Sequence, residues 1–317
     1  MTTWVLLGLL AGLVLGTYDF LTKIALRETG VLAVVVASSV LGACLWLPFV
    51  WVPGGGPWAQ TLAPLGLHPA PLTWQAHALL LPKSLMMVAT WVLSYYAVKA
   101  LPLSISAGVR ASGPVWTALG AIVLLGEHLS AWQWAGLAVS MLSYLAFSLI
   151  GQKEGIRFSR DGWVLCMVAA TLLSSANALY DKHIVAQLRL DLAAVQAWSA
   201  VQRGVLALCL LPWVVTFALP GLSGRGLQGR WPGWSAAWPT VWPVVAIAVA
   251  YVVAEYIYLA AVQVEGAMIS VISVLRRTNL VMVFGLSAWL LRERFIRHKT
   301  VAMAGVLAGI ALMVKTG

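Results

Sequence analysis

Residues 105–130 read ISAGVRASGPVWTALGAIVLLGEHLS, and residues 271–296 read VISVLRRTNLVMVFGLSAWLLRERFI. Laid over one another without a gap, they bring Arg110 onto Arg276 and Glu127 onto Glu293, each pair 166 residues apart. A single register that matches both an arginine and a glutamate inside two apolar runs marks an internal repeat. Looser echoes follow with small gaps: Tyr18-Asp19 with Tyr180-Asp181, and Cys44 to Pro48 with Cys209 to Pro212.

The runs themselves belong in a membrane. Of 317 residues, 61% are hydrophobic and 9% charged, against about 25% charged in a soluble domain. Apolar stretches long enough for a helical span recur along the whole chain, which points to helices rather than a barrel. The first of them, MTTWVLLGLLAGLVLG, lacks a basic leader and a small-residue cleavage site, so it is expected to be retained as a helix. With about 20 residues per span, ten helices are predicted, at 4–25, 30–52, 77–98, 102–126, 131–150, 161–185, 191–219, 239–262, 267–291 and 298–315. The Pro- and Gly-rich stretches 53–73 and 220–234 are expected to be loops. They follow the second and the seventh span, the same place in each half.

The expected architecture is therefore all-α: an integral membrane protein of two five-helix repeats, 1–152 and 153–317. Five is odd, so the halves must insert with opposite orientation. That is the inverted-repeat plan of a secondary transporter, with its site near the midplane between the halves. The net charge of +10 is scattered over short loops and spans, which fits membrane topology and not nucleic-acid binding. By the positive-inside rule, the loop charges place both termini outside. Cys44, Cys166 and Cys209 follow no metal or disulfide spacing and are expected to be packing residues. No cofactor or metal is expected. An enzyme is not expected either, since neither a nucleophile elbow nor metal-ligand spacing is present.

Charges inside spans are costly and usually functional. Arg110 lies about 12 Å into its helix at 1.5 Å per residue, deeper than a side chain comfortably reaches back to the interface. Arg276 is at comparable depth, Arg277 follows it about 100° around the helix, and Arg203 is a fourth mid-span cation. Arginine suits a bidentate grip on phosphate or carboxylate. Glu255 is the mid-span carboxylate, expected either to pair with an arginine, to act as a counter-charge displaced by substrate, or to carry a proton. Four cations against one carboxylate predict a positive cavity that takes an anion. Among the hydroxyls near the cavity helices, Tyr256 is a further substrate-binding candidate. Asp19 and Lys23, four apart, and the adjacent Asp181 and Lys182 are expected to form interfacial ion pairs or gates. Glu127 and Glu293 end their helices as caps or gates.

The segment PVWTALGAIVLLGE (114–127), with its counterpart ending LRE (291–293), resembles the drug/metabolite transporter superfamily, in particular its ten-helix EamA-type members. A narrower likeness is to the triose-phosphate/phosphate translocators. GVRASGPVW sets Arg110 four residues before Pro114, and SVLRRTNLVMV carries an adjacent cationic pair. The helix-8 tyrosine of those proteins falls on Val253, so the anion's identity does not carry over. The resemblance implies both termini in the cytoplasm, against the charge count. It implies a gradient- or exchange-driven carrier of a small organic anion, working by alternating access in a bacterial inner membrane. Its partners would be the bilayer, the anionic substrate and a proton or exchanged anion, with the chain a monomer or dimer. Two other readings stand beside it: an EamA-type exporter of amino acids or amphipathic compounds, and a flippase for a phosphate-bearing lipid.

Overall fold

In this computed structural model the described residues are 3–51, 56–64, 66–110, 112–153, 161–218, 238–279, 282–283 and 296–314. Every regular element among them is helical. The first half contributes α1 (Thr3–Glu28), α2 (Val31–Val50), the short α3 (Pro57–Leu62), α4 (Trp74–Ala100), α5 (Leu103–Arg110), α6 (Gly113–Leu125) and α7 (Ala131–Lys153). The second contributes α8 (Gly162–Lys182), which ends in a π-turn at His183–Gln187, then α9 (Leu192–Leu208), α10 (Leu211–Ala218), α11 (Trp238–Gln263), α12 (Ile269–Leu275) and α13 (Ile296–Val314). Five described helices are long and apolar enough to cross a membrane: Thr3–Arg27, Val31–Val50, Trp74–Ala100, Gly162–Gln187 and Val241–Gln263. With so few charges in the chain, the protein is an integral membrane protein.

Three expected spans are not continuous. The stretch 102–126 divides into α5 and α6 because Pro114 has no N–H for the carbonyl of Arg110, four residues back, and its ring crowds that carbonyl. Pro212 stands in the same relation to Leu208, and α9 stops there before α10 begins. Prolines 48, 82 and 243 are instead absorbed inside α2, α4 and α11. The third interruption has no proline: α12 tightens into a 3-10 turn at Arg276–Thr278. The expected loop 53–73 contains α3, while 220–234 lies outside the described residues. Helix ends elsewhere follow local chemistry. Asp161 caps α8 through the N–H groups of Trp163 and Val164, and Asp191 caps α9 through Ala194 while also accepting from the N–H of Ala70 in the loop ahead of α4.

The principal packings all join one half of the chain to the other: α1 on α11, α4 on α8, α2 on α9, α7 on α13, and α6 on α12. Between apolar helices in lipid, close approach of backbones does what water-driven burial does elsewhere. Gly8, Gly12 and Gly16 lie four apart on one face of α1 and let it press against α12 and the turn beyond. A Cβ on Gly12 would stand 2.1 Å from Thr278 Oγ1, and one on Gly16 2.7 Å from the Asn279 carbonyl. Gly136 and Gly309 bring α7 and α13 together in the same way. Cys44 and Cys209 are exposed rather than packed inside.

Candidate functional site

The two helix breaks meet at the centre of the molecule. Arg110 ends α5, and its guanidinium pairs with the buried Asp19 of α1. The other oxygen of Asp19 accepts from Asn279 Nδ2 at 2.8 Å, just beyond the 3-10 turn. One carboxylate thus fastens both breaks. Arg277 approaches from the second break onto the first: a Cβ on Gly113 would lie 2.8 Å from its Nη2. Arg276 lies over the Tyr258 ring, with Cζ 4.0 Å from the centroid.

Arg110, Arg276 and Arg277 all line one cavity of about 750 Å³, the space at its open mouth included. The same lining carries acidic groups. Asp181 of α8 and Glu255 of α11 line the cavity, and both are held by Lys83 of α4. Lys83 Nζ is 2.5 Å from Asp181 Oδ1 and 2.9 Å from Glu255 Oε1, and the lysine is fully buried. Asn177, one turn before Asp181, donates to its second oxygen at 3.0 Å. Buried charges persist only when paired and hydrogen-bonded, and these groups satisfy that condition mutually.

The cavity also has an aromatic wall of Tyr18, Trp91 and Tyr251. Trp91 and Tyr251 meet edge to face with centroids 4.7 Å apart, and Tyr18 is 5.6 Å from Tyr251. The Tyr18 hydroxyl is 3.0 Å from that of Tyr95. Arg203 of α9 sits against this wall without lining the cavity. Its Cζ is 4.8 Å from the ring centroids of both Trp91 and Tyr251.

Several expectations change on this geometry. Asp19 pairs with Arg110 and not with Lys23, whose ammonium instead donates to the carbonyls of Val98 and Leu101 at the end of α4. The i,i+4 spacing lost because α1 runs on to Glu28, leaving Asp19 buried where a tertiary partner was available. Asp181 and Lys182 point apart: Asp181 enters the cavity wall, and Lys182 donates to the Ala267 carbonyl. Glu255 pairs with Lys83 and with no arginine among the described residues. The formal tally is five cations (Lys83, Arg110, Arg203, Arg276, Arg277) against three carboxylates (Asp19, Asp181, Glu255), instead of four against one. Tyr256 lies outside the cavity lining, its hydroxyl donating to the Gly66 carbonyl at 2.9 Å and its ring stacked on Trp46. Glu127 caps α12, accepting from the N–H groups of Ile269 (2.7 Å) and Ser270 (3.2 Å) and from the Ser270 hydroxyl. Glu293 lies outside the described residues.

Lys83 is the central residue for which the sequence left two readings open, lining the cavity or reaching back to the interface. It had a signal, a lysine deep in an apolar helix directly after a proline. Its partners lie 98 and 172 residues away, and nothing local announces them.

Residues 2–149, somewhat less than half of the chain, match the EamA-like transporter family. No curated protein matches. The fold is similar to that of a protein of known crystal structure, with 16% identity and a TM-score of 0.68, covering 98% of this chain and 96% of that one.

Proposed function

We propose that the protein is a secondary transporter that moves a small organic anion, phosphate- or carboxylate-bearing, by alternating access between residues 1–152 and 153–317. The observation that carries this reading is the convergence of Arg110, Arg276 and Arg277 on one cavity in which formal positive charge exceeds negative. Partly desolvated guanidinium groups gain most from an oxyanion that accepts two hydrogen bonds at once.

The geometry supports a two-half mechanism. The short helices that lead to Arg110 and Arg276 begin at Leu103 and Ile269, again 166 apart. Exchanging the halves turns α1 on α11 into α8 on α4, and leaves α2 on α9 and α7 on α13 as they are. Irregular backbone at membrane depth is tolerated where it lines a cavity, and broken helices at a central site suit a rocking carrier. The chain has no phosphate-binding loop of the nucleotide-hydrolysing type, so the driving force is a gradient or an exchanged anion. A bacterial inner membrane is its expected location.

A second reading, an EamA-type exporter of amino acids or amphipathic metabolites, draws on the carboxylates of Asp181 and Glu255 in the same cavity. They could meet an ammonium group while an arginine holds the carboxylate. Thermal stabilisation of the purified protein separates the two readings. Under the first, a phosphate ester or simple carboxylate stabilises the protein and Arg276→Ala abolishes the effect. An equal response to neutral amphiphiles sinks it. A response to an amino acid that its deaminated analogue does not give favours the second.

A further inference from the structure

Arg203 is buried, with 3% of its surface exposed, yet no carboxylate among the described residues lies within ion-pairing distance. Its Nε has no hydrogen-bond partner. Its guanidinium lies against the faces of Trp91 and Tyr251, at 4.8 Å each, and the negative charge of Glu255 reaches it only from beyond ion-pairing distance. A charge held this way is expensive, and packing alone gives no reason to keep it. Both rings line the cavity and the guanidinium does not, so Arg203 stands behind the wall that a solute would touch.

Three aromatic rings beside two carboxylates would ordinarily attract an organic cation. A ring face improves a cation's affinity roughly two- to thirtyfold. Here that attraction is already in use. A second cation on the far face of Trp91 would lie about 9 Å from the guanidinium carbon. At an effective dielectric of about 20 the repulsion is worth roughly a twentyfold loss of affinity, which offsets the gain from the ring. Lys83 cancels the other attraction by occupying Asp181 and Glu255 together. An anion on the same face gains what the cation loses, while a flat apolar body still finds ring surface beside it.

We infer that Arg203 is the charge-selectivity residue of this cavity, acting through Trp91 and Tyr251 without touching the solute, and that the substrate is an anion with a planar, ring-bearing body. This rests on the anion reading above and narrows it to an aryl or similarly flat phosphate or carboxylate.

The test is a set of equilibrium binding measurements on the purified chain in nanodiscs, with phenyl phosphate, glycerol 1-phosphate and benzyltrimethylammonium as probes. Wild type should prefer phenyl phosphate to glycerol 1-phosphate and bind benzyltrimethylammonium least. In Arg203→Met the cation should gain and phenyl phosphate should lose, each by about twentyfold, while Arg203→Lys stays near wild type. Loss of a merely structural residue would weaken every probe together, so a common fall overturns the inference, as does an unchanged ratio. Trp91→Leu provides the second variant: it should abolish the preference for phenyl over glycerol phosphate while leaving the cation excluded. If wild type binds both phosphates equally, the planar-body inference fails and the anion reading survives. If it binds no anion at all, the anion reading falls with the substrate class. The role of Arg203 is then decided by benzyltrimethylammonium alone, whose gain in Arg203→Met sustains it and whose absence there overturns it.

Discussion

Replacing Lys83 by methionine removes one charge and leaves two behind. In the native chain Lys83 Nζ stands 2.5 Å from Asp181 and 2.9 Å from Glu255, with side-chain exposures of 0%, 1% and 5% for the three residues. Both carboxylates touch one nitrogen, so they are roughly 5 Å apart, where their mutual repulsion is about 3 kcal/mol at an effective dielectric of 20. Removing one partner from a buried charge pair costs about 3–5 kcal/mol, because the remaining charge is desolvated and unmatched. Glu255→Gln acts differently, since the Lys83–Asp181 pair survives and the amide still accepts from Lys83; its cost should be about 1 kcal/mol. For a chain of this length 1 kcal/mol corresponds to about 1.5 °C in Tm. Lys83→Met should therefore lower Tm by roughly 5–8 °C, and Glu255→Gln by under about 2 °C. The decisive variant combines Lys83→Met with Asp181→Asn and Glu255→Gln, which replaces the charges by groups of similar shape. It should recover most of the loss, because buried ion pairs contribute little net stability over neutral packing. The assay is thermal unfolding in detergent, followed by intrinsic tryptophan fluorescence. Equal Tm values for Lys83→Met and Glu255→Gln, or a triple variant no better than Lys83→Met, would refute the reasoning.

Three further outcomes follow from the same geometry. Gly16→Ala should lower thermal stability by about 1–3 kcal/mol, because its Cβ meets Met282 Cβ at 2.5 Å and the Asn279 carbonyl at 2.7 Å, and backbone cannot swing aside. Gly113→Ala should leave Tm nearly unchanged yet weaken anion binding, since the atom it meets at 2.8 Å is the mobile end of Arg277; equal losses in Tm for the two glycine variants would contradict this. Glu127→Ala should cost about 0.5–2 kcal/mol as a lost helix cap, with Glu127→Gln milder because it still accepts from Ile269 or Ser270, and a Glu127→Ala protein as stable as wild type would remove the cap from the account.

The all-helical, membrane-spanning character was legible because lipid imposes long apolar runs and makes charges inside them conspicuous. Arg110, Arg276 and Glu255 stood out on that ground, and all three line the cavity. Pro114, four residues after Arg110, also marked the division of α5 from α6. The tightening at Arg276–Thr278 left no such mark. Pairings were harder, because helical spacing advertises neighbours on one helix while burial rewards partners across helices. Asp19 had Lys23 one turn away and bonded to Arg110 and Asn279 instead. Asp181 was drawn toward the interface by its neighbour Lys182, whereas its environment is set by a lysine 98 residues earlier. Tyr256 shows the reverse error: helix α11 bears Glu255 on its inner side, and the next residue turns away to the Gly66 carbonyl.

The wiring of Lys83 also has a bearing on how the chain is made. A lysine or aspartate at the centre of a lone span costs about 2.5–3.5 kcal/mol on insertion. During synthesis α4 enters the bilayer with Lys83 unmatched, and its first carboxylate is made 98 residues later, its second 172 residues later. The early helices must wait, loosely held or sheltered by the insertion machinery, until α8 and then α11 arrive to neutralise them. Biogenesis of this protein is therefore complete only when its C-terminal spans reach back to those inserted first.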